Sequence, residues 1–402
     1  MNISEKKQFK ILSLDGGGVR GMISATILKE VERQLEIYCK KNNQPTVKLH
    51  DYFDMVAGTS TGSILAAGVA AKFDAEKLIQ FYQENAETIF DKGTRTFRNL
   101  GILTKYILQI FFPQWCLYPN KNNQGLAKVL QDKLVNAQGQ PLKFNEIKEP
   151  ILFIPAYDTY SRNTTWFASN RKEPNLWFKD IELWKLCVCS AAAPTFFPAY
   201  PLSFSDKENL PHIDGGVSAN NPSLSAIAHL LVTEKESNLN NISVLSIGTG
   251  NTTDVFTYDK IRKWGLLDVM SHVADVFLNP GSQNTEAICK EFLRSVARKN
   301  HCNYLRLNFD LNQAFEGERQ PGKLRKPIEP HTDAKNEYLG EYISEAIDDP
   351  NLCKQSDSGK SLLEKVADAY LQQENISAKI QDFIEDNPPT FSSLPLSYSR
   401  SF

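Results

Sequence analysis

A three-layer α/β fold with a mainly parallel central sheet flanked by helices is what this sequence predicts, on three observations. Short apolar runs alternate with stretches of helical periodicity along the chain. Several of those runs end directly in glycine turns, as strands do at the C-terminal edge of a parallel sheet. The 402 residues, 41% hydrophobic and 23% charged, suffice for one large elaborated domain or for two.

The first predicted strand is residues 9–14, Phe-Lys-Ile-Leu-Ser-Leu, a compact apolar run suited to burial on both faces. It ends at Asp15 and runs at once into Gly16-Gly17-Gly18-Val19-Arg20-Gly21, after which Met22, Ile23, Ile27, Leu28, Val31 and Leu35 recur at helical spacing. A polar connection over residues 42–50 leads to a second short strand, 53–57, and a small-residue helix, 63–71. Asp74 can N-cap a helix running to Phe90. Residues 100–118 are strongly apolar and aromatic, with Lys105 as their one charge. They read either as a core helix ending at Pro113 or as an apolar lid or interfacial surface.

An amphipathic helix is expected at 125–134, then two strands at 151–157 and 164–169 joined by a polar turn. An apolar helix at 183–193 stops at Pro194, and residues 210–216 read as a short strand entering a glycine turn. Asn220-Asn221-Pro222 opens another helix, with proline near its first turn. A clear strand at 242–247 ends in Gly248-Thr249-Gly250. Helices at 266–278 and 284–297, a strand at 304–309, a loop at 317–330 and helices near 334–347 and 361–371 complete the chain. The expected organisation is a catalytic domain over residues 1–310, a helical extension packed on it over 311–386, and a flexible tail over 387–402.

A formal net charge of -2 leaves no electrostatic footprint for a nucleic-acid polymer, and no long basic run suggests a polybasic anchor. The seven cysteines show no framework spacing and read as buried thiols in a reducing compartment. No apolar leader and no 18-residue apolar run is present, so the expected location is cytoplasmic. No cofactor is expected, and no cluster with metal-ligand spacing is visible.

Chemistry concentrates at Gly58-Thr59-Ser60-Thr61-Gly62, the pattern of a nucleophile elbow, in which a strained turn exposes one serine at a strand end. Alone the pattern is weak, arising by chance in about one chain in ten of this length. Acyl transfer by Ser60 also needs an anion pocket and a base. Consecutive glycines between strand and helix can aim their N–H groups at one point, so Gly16, Gly17 and Gly18 are candidate oxyanion donors. The same loop matches a dinucleotide fingerprint, but no acidic ribose-binding position follows at a second strand end. Among the histidines, His212 stands two residues before Asp214, on the same side of an extended segment, and reads as a satisfied histidine rather than as the base. Asp214 ends a strand and precedes Gly215 and Gly216, where its carboxylate can approach another backbone closely.

Asp15-Gly16-Gly17-Gly18-Val19-Arg20-Gly21, Gly58-Thr59-Ser60-Thr61-Gly62 and Asp214-Gly215-Gly216 together resemble the patatin-like phospholipases. Supporting blocks are Ser190-Ala-Ala-Ala-Pro194-Thr-Phe-Phe-Pro198, Asn220-Asn221-Pro222 and Ser246-Ile-Gly-Thr-Gly250, in the family's order across residues 9–250. Ser63 departs from the glycine many members carry. The resemblance implies a patatin-like fold and a Ser–Asp dyad without histidine, in which Ser60 attacks an ester carbonyl and Asp214 takes its proton. Gly16, Gly17 and Gly18 would hold the oxyanion, with Gly58, Gly62, Gly215 and Gly216 shaping the turns. Arg20 either braces the glycine loop or meets a lipid phosphate, and Asp15 reads as a structural partner of that loop. A free aspartate is a weak base for a hydroxyl, so burial would have to raise the Asp214 pKa. The expected substrate is a glycerophospholipid ester at a membrane surface, with peripheral association with the inner membrane during action. Similar bacterial enzymes act in anti-phage defence after a cyclic-nucleotide signal, so such an activator and oligomerisation are both open. The alternative is a non-catalytic nucleotide- or lipid-binding module that uses the glycine loop.

Overall fold

The computed structural model of the protein describes residues 7–90, 124–173, 176–194, 196–204, 208–251, 258–265, 279–297, 301–311, 347–373 and 375–390. The expected helix at 266–278, the one near 334–347 except for its last residue, and the apolar stretch at 100–118 lie outside the described residues.

Strand β1 (Phe9–Leu14) is buried along its whole length, as its apolar run requires. It lies between β2 (Met55–Gly58) and β7 (Ile242–Ile247), parallel to both, and β8 (Tyr304–Leu307) continues the sheet in parallel beyond β7. The described sheet runs in the order β5-β6-β3-β2-β1-β7-β8, with β3 (Ile151–Asp158) parallel to β2 and β4 (Asn163–Ala168) paired antiparallel to β3. Strands β5 (Tyr200–Ser203) and β6 (Asn209–Asp214) form an antiparallel edge. No periodicity announced β5, a short strand with Pro201 in it at the sheet margin. The sheet is mainly parallel around the strands that end in glycine turns, with its antiparallel part at one side.

Helix α1 (Gly21–Lys41) follows the first glycine turn, and α2 (Leu49–Tyr52) displaces the expected start of β2 from residue 53 to Met55. Helix α3 (Thr61–Ala70) is buried throughout, and α4 (Ala75–Ile89) is N-capped by Asp74, whose carboxylate accepts from the Lys77 N–H. Next come α5 (Gln124–Lys133), α6 (Leu183–Ala191), α7 (Gly216–Ala219) and α8 (Ser223–Thr233). Helix α9 (Asn279–Val296) starts earlier than the expected residue 284.

Side chains alternate across the strands, so β1 serves two cores. Leu12 and Leu14 join the cluster under α1, α3, α4 and α6, whereas Phe9 and Ile11 join Ile227, Leu230, Cys289 and Leu293 from α8 and α9. Helices α10 (Leu362–Leu371) and α11 (Ile376–Asp386) pack against α1, and Val366, Ile380 and Phe383 belong to the same core as Leu12. The expectation of a loose tail from residue 387 is corrected at its start. Asn387 is fully buried, its amide donates to the carbonyls of Cys302 and Phe383, and its own carbonyl accepts from the Tyr52 hydroxyl. Lys10, buried in β1, reaches Pro388 O at 3.3 Å and Thr390 Oγ1 at 2.9 Å. A buried ammonium needs such acceptors, which is why this stretch is held. Residues 391–402 lie outside the described residues.

Candidate active site

Three strand ends stand side by side. Leu14 at the end of β1 is in register with Gly58 of β2 and with Ile247 of β7, so the turns beginning at Asp15, Thr59 and Gly248 share one edge of the sheet. The base candidate arrives by a different route. Residues 156–158 of β3 pair with both β4 and β6, while Phe153 pairs with both β4 and β2. A strand has two edges, so β2 and β6 share the edge of β3 that β4 leaves open. They run toward each other along it. The C-terminal end of β2 and the C-terminal end of β6 therefore meet head to head over Pro155, which brings Ser60 and Asp214 together.

Ser60 is held at φ 54° and ψ -124°, a left-handed conformation that a serine adopts only under constraint. The constraint comes from close packing on both sides. A Cβ at Gly62 would stand 2.2 Å from the Leu14 carbonyl oxygen, and one at Gly58 would stand 2.0 Å from the Gly62 carbonyl oxygen. The Thr59 N–H donates to Leu14 O at 3.1 Å and its hydroxyl to Ala219 O at 2.6 Å, fastening the turn to β1 and to α7. Ser63, the departure from the family pattern, donates its hydroxyl to Ser60 O at 2.6 Å and so adds to the elbow.

Asp214 is buried, its carboxylate accepts from the Gly216 N–H at 2.6 Å, and it faces the Ser60 hydroxyl. Burial pushes its pKa up from 3.8 to about 6, against the opposing pull of those two donors. A carboxylate with that pKa, facing a serine hydroxyl, can take up and return a proton near neutral pH.

Ser190, at the end of α6, was legible only as part of a family block, and its role comes from the fold. Its fully buried hydroxyl accepts from the Ser60 N–H at 3.0 Å and donates to Pro155 O at 2.7 Å. Its carbonyl accepts from the Gly215 N–H at 3.0 Å, and the next turn repeats the contact from the Asp214 N–H to Ala192 O. One residue thus holds the backbone of the serine and of Gly215, the neighbour of the aspartate. No local spacing signals this, because the three segments are joined only by the sheet.

The glycine loop divides its labour. Gly16 does not serve as an oxyanion donor in this arrangement, since its N–H is bonded to Asn220 O at 3.2 Å and its carbonyl accepts from the Thr249 hydroxyl at 3.0 Å. Gly17 and Gly18 are partly exposed, and among the described residues their N–H groups have no hydrogen-bond partner, so they remain for an anion. Gly18 takes φ 58°, and the Ile347 carbonyl, which accepts from the Val19 N–H at 2.8 Å, would stand 2.2 Å from a Cβ there. Arg20 closes the 3-10 turn with its N–H on Gly17 O at 3.2 Å, and its side chain is partly exposed. Asp15 is buried and paired with Arg306 of β8, a partner the sequence offered no spacing to find.

His212 is spent elsewhere, with Nε2 3.0 Å from the Thr165 hydroxyl and Nδ1 2.9 Å from Leu210 O, and burial lowers its pKa. His50 lies beside Asp51, His229 bonds Asn170, and His301 lies beside Asp386. No hydrogen bond joins Ser60 to a histidine among the described residues. The described cysteines are unpaired, and among the described residues no group of three or more His, Cys, Asp or Glu is placed to hold a metal ion.

The chain is similar to known proteins. Patatin-like protein 3 of Arabidopsis thaliana is 31% identical over 287 residues, covering 64% of this chain and 63% of that protein. The chain therefore spans a little under two thirds of that relative's length. Patatin-like protein 2 of the same plant is 31% identical over 332 residues, covering 75% of each chain. A structure of human GIVD cytosolic phospholipase A2 in complex with methyl gamma-linolenyl fluorophosphonate aligns with a TM-score of 0.44 at 13% identity, covering 95% of this chain and 60% of that one. The family model described as patatin-like phospholipase matches residues 12–227, which include both the glycine loop and the Ser60 and Asp214 turns, and the chain belongs to that family.

Proposed function

We propose that the protein is a lipid acyl hydrolase that cleaves glycerophospholipid esters through Ser60 and Asp214. The observation that carries this reading is the head-to-head meeting of the β2 and β6 ends, with the Ser60 side chain facing a buried Asp214 whose pKa is raised to about 6. Asp214 takes the hydroxyl proton as Ser60 Oγ attacks the ester carbonyl carbon, and the Gly17 and Gly18 N–H groups hold the developing oxyanion. Collapse breaks the ester C–O bond, and the protonated Asp214 returns its proton to the leaving alcohol. Water, activated by the same carboxylate, then releases the fatty acid from Ser60. A phospholipid substrate brings the protein to a membrane surface peripherally, and no described helix is long and apolar enough to cross a membrane.

The placement of Ser60 facing Asp214 argues against a silent binding module. A fluorophosphonate probe should label the wild type on Ser60 alone. Labelling that persists in Ser60→Ala would overturn the reading. A lipidomic comparison of wild type with Ser60→Ala then identifies headgroup and acyl position.

Activation by a cyclic nucleotide in bacterial defence is a further part of the proposal and rests on the family resemblance. Hydrolysis by the purified protein that stays unchanged across a panel of cyclic di- and trinucleotides would remove it.

A further inference from the structure

We propose that Arg306 is a positioning residue for the glycine loop, which it holds through Asp15 so that the Gly17 and Gly18 N–H groups stay aimed at the carbonyl attacked by Ser60. The catalytic part of this inference rests on the hydrolase reading above. Arg306 lies beyond the stretch matched by the family model, on β8, two strands away from β1.

Its guanidinium grips Asp15 with both prongs, Nη1 to Oδ1 at 2.9 Å and Nη2 to Oδ2 at 2.5 Å. Nη1 also donates to the Ser246 hydroxyl at 2.8 Å, and Nε lies 3.5 Å from Glu286 Oε2. The Arg306 and Asp15 side chains are only 7% and 5% exposed, so the pair sits inside the fold beneath the loop. The Ser246 hydroxyl stands 3.0 Å from that of Ser223, which is itself 2.9 Å from the Ser13 hydroxyl of β1. Arg306 is thus the outer end of a buried polar chain that runs through Ser246 of β7 and Ser223 of α8 to Ser13 of β1, and it also pairs directly with Asp15, the residue preceding Gly16.

Stability gives this pair little reason to exist. Removing two charges from water costs much of what their attraction returns, and apolar replacements of such pairs are often neutral or stabilising. What a bidentate pair supplies is direction. A planar fork fixes the plane of the Asp15 carboxylate, and the Asp15 N–H bonded to Ile247 O fixes its backbone. With Gly16 held at both its N–H and its carbonyl, the next two peptide planes have little freedom left. Donors held in advance of the reaction are the ones that lower its barrier.

The test uses the full chain and two variants, Arg306→Lys and the double variant Asp15→Asn/Arg306→Met. The first keeps the charge and loses the fork, and the second leaves neither charge unpaired. Two readouts are taken on folded protein. Amide hydrogen exchange is measured in the peptide covering residues 14–21, and kcat and KM are measured on a soluble short-chain ester across pH. The proposal expects faster exchange in that peptide with the rest of the sheet unchanged. It also expects kcat to fall by about tenfold to a hundredfold in both variants, less than the roughly hundredfold to thousandfold cost of losing an oxyanion donor outright. KM and the acid limb set by Asp214 should stay where they are. Unchanged exchange in the loop, or a kcat per folded molecule within about twofold of wild type, would overturn it. Absence of Ser60-dependent hydrolysis in the wild type would remove the hydrolase reading instead, and the exchange readout would still decide whether Arg306 holds the loop.

Discussion

Asp214 carries the clearest consequences at the scale of single residues. With its pKa raised to about 6, hydrolysis is expected to fall along an acid limb near pH 6 as the carboxylate takes up a proton, read from kcat against pH on a soluble ester. The same shift has a stability sign. A folded-state pKa above the unfolded one favours the protonated form in the native protein, so the stabilisation is complete below about pH 4 and is lost as pH rises through 6. A rise from 3.8 to about 6 corresponds to about 3 kcal/mol, an upper figure for the cost of the buried charge at pH 8. Asp214→Asn should therefore be inactive yet more stable than wild type at pH 8, with the difference vanishing near pH 4, as read by urea unfolding at the two pH values. Ser60 is strained in the same sense. Ser60→Gly should unfold at a higher temperature than Ser60→Ala, by the equivalent of about 1 kcal/mol, because glycine alone adopts φ 54° freely. Ser190→Ala leaves the Ser60 N–H and Pro155 O without their shared partner. A loss of about 1–3 kcal/mol in stability and a larger proportional loss of kcat are expected.

At the scale of elements, the elbow works because β2, its turn and α3 press against the end of β1. Gly62→Ala drives a methyl into the Leu14 and Asp15 carbonyl oxygens, which would stand 2.2 and 2.7 Å away and belong to the backbone of a central strand. The elbow must then move, and a destabilisation of about 3 kcal/mol with loss of probe labelling is the expected result. The glycine turns and most strands were legible because each is a local pattern, an apolar run followed by residues that permit a tight bend. Strand β5 was not, since Tyr200 to Ser203 carry no alternation and pair only at the sheet margin. The direction of β6 was equally hidden. Asp214 reads as another strand end, but its strand runs against β2 because it pairs antiparallel with β3 where β2 pairs parallel, which no local spacing shows.

Across the whole molecule, the C-terminal part is not an appendage. Leu352, Val366, Ile380 and Phe383 share one core with Leu12 and Val19, Ile347 backs Gly18, and Asn387 ties α2, β7 and α11 together. The described residues should therefore unfold in one cooperative transition, which calorimetry tests by comparing the calorimetric and van't Hoff enthalpies. Asn387→Ala should lower stability by about 2 kcal/mol or more, because several buried partners lose their bonds at once. The sequence by itself determined the layered α/β class, the position of the elbow and the glycine loop, since these rest on residue types at short spacing, while the pairing of Ser60 with Asp214 was what the family resemblance implied. Only the tertiary structure decided that Gly16 is spent on Asn220, that Ser190 binds both turns, and that Arg306 grips Asp15. Those contacts join segments far apart in the chain, and strand pairing across the sheet is what brings them into reach.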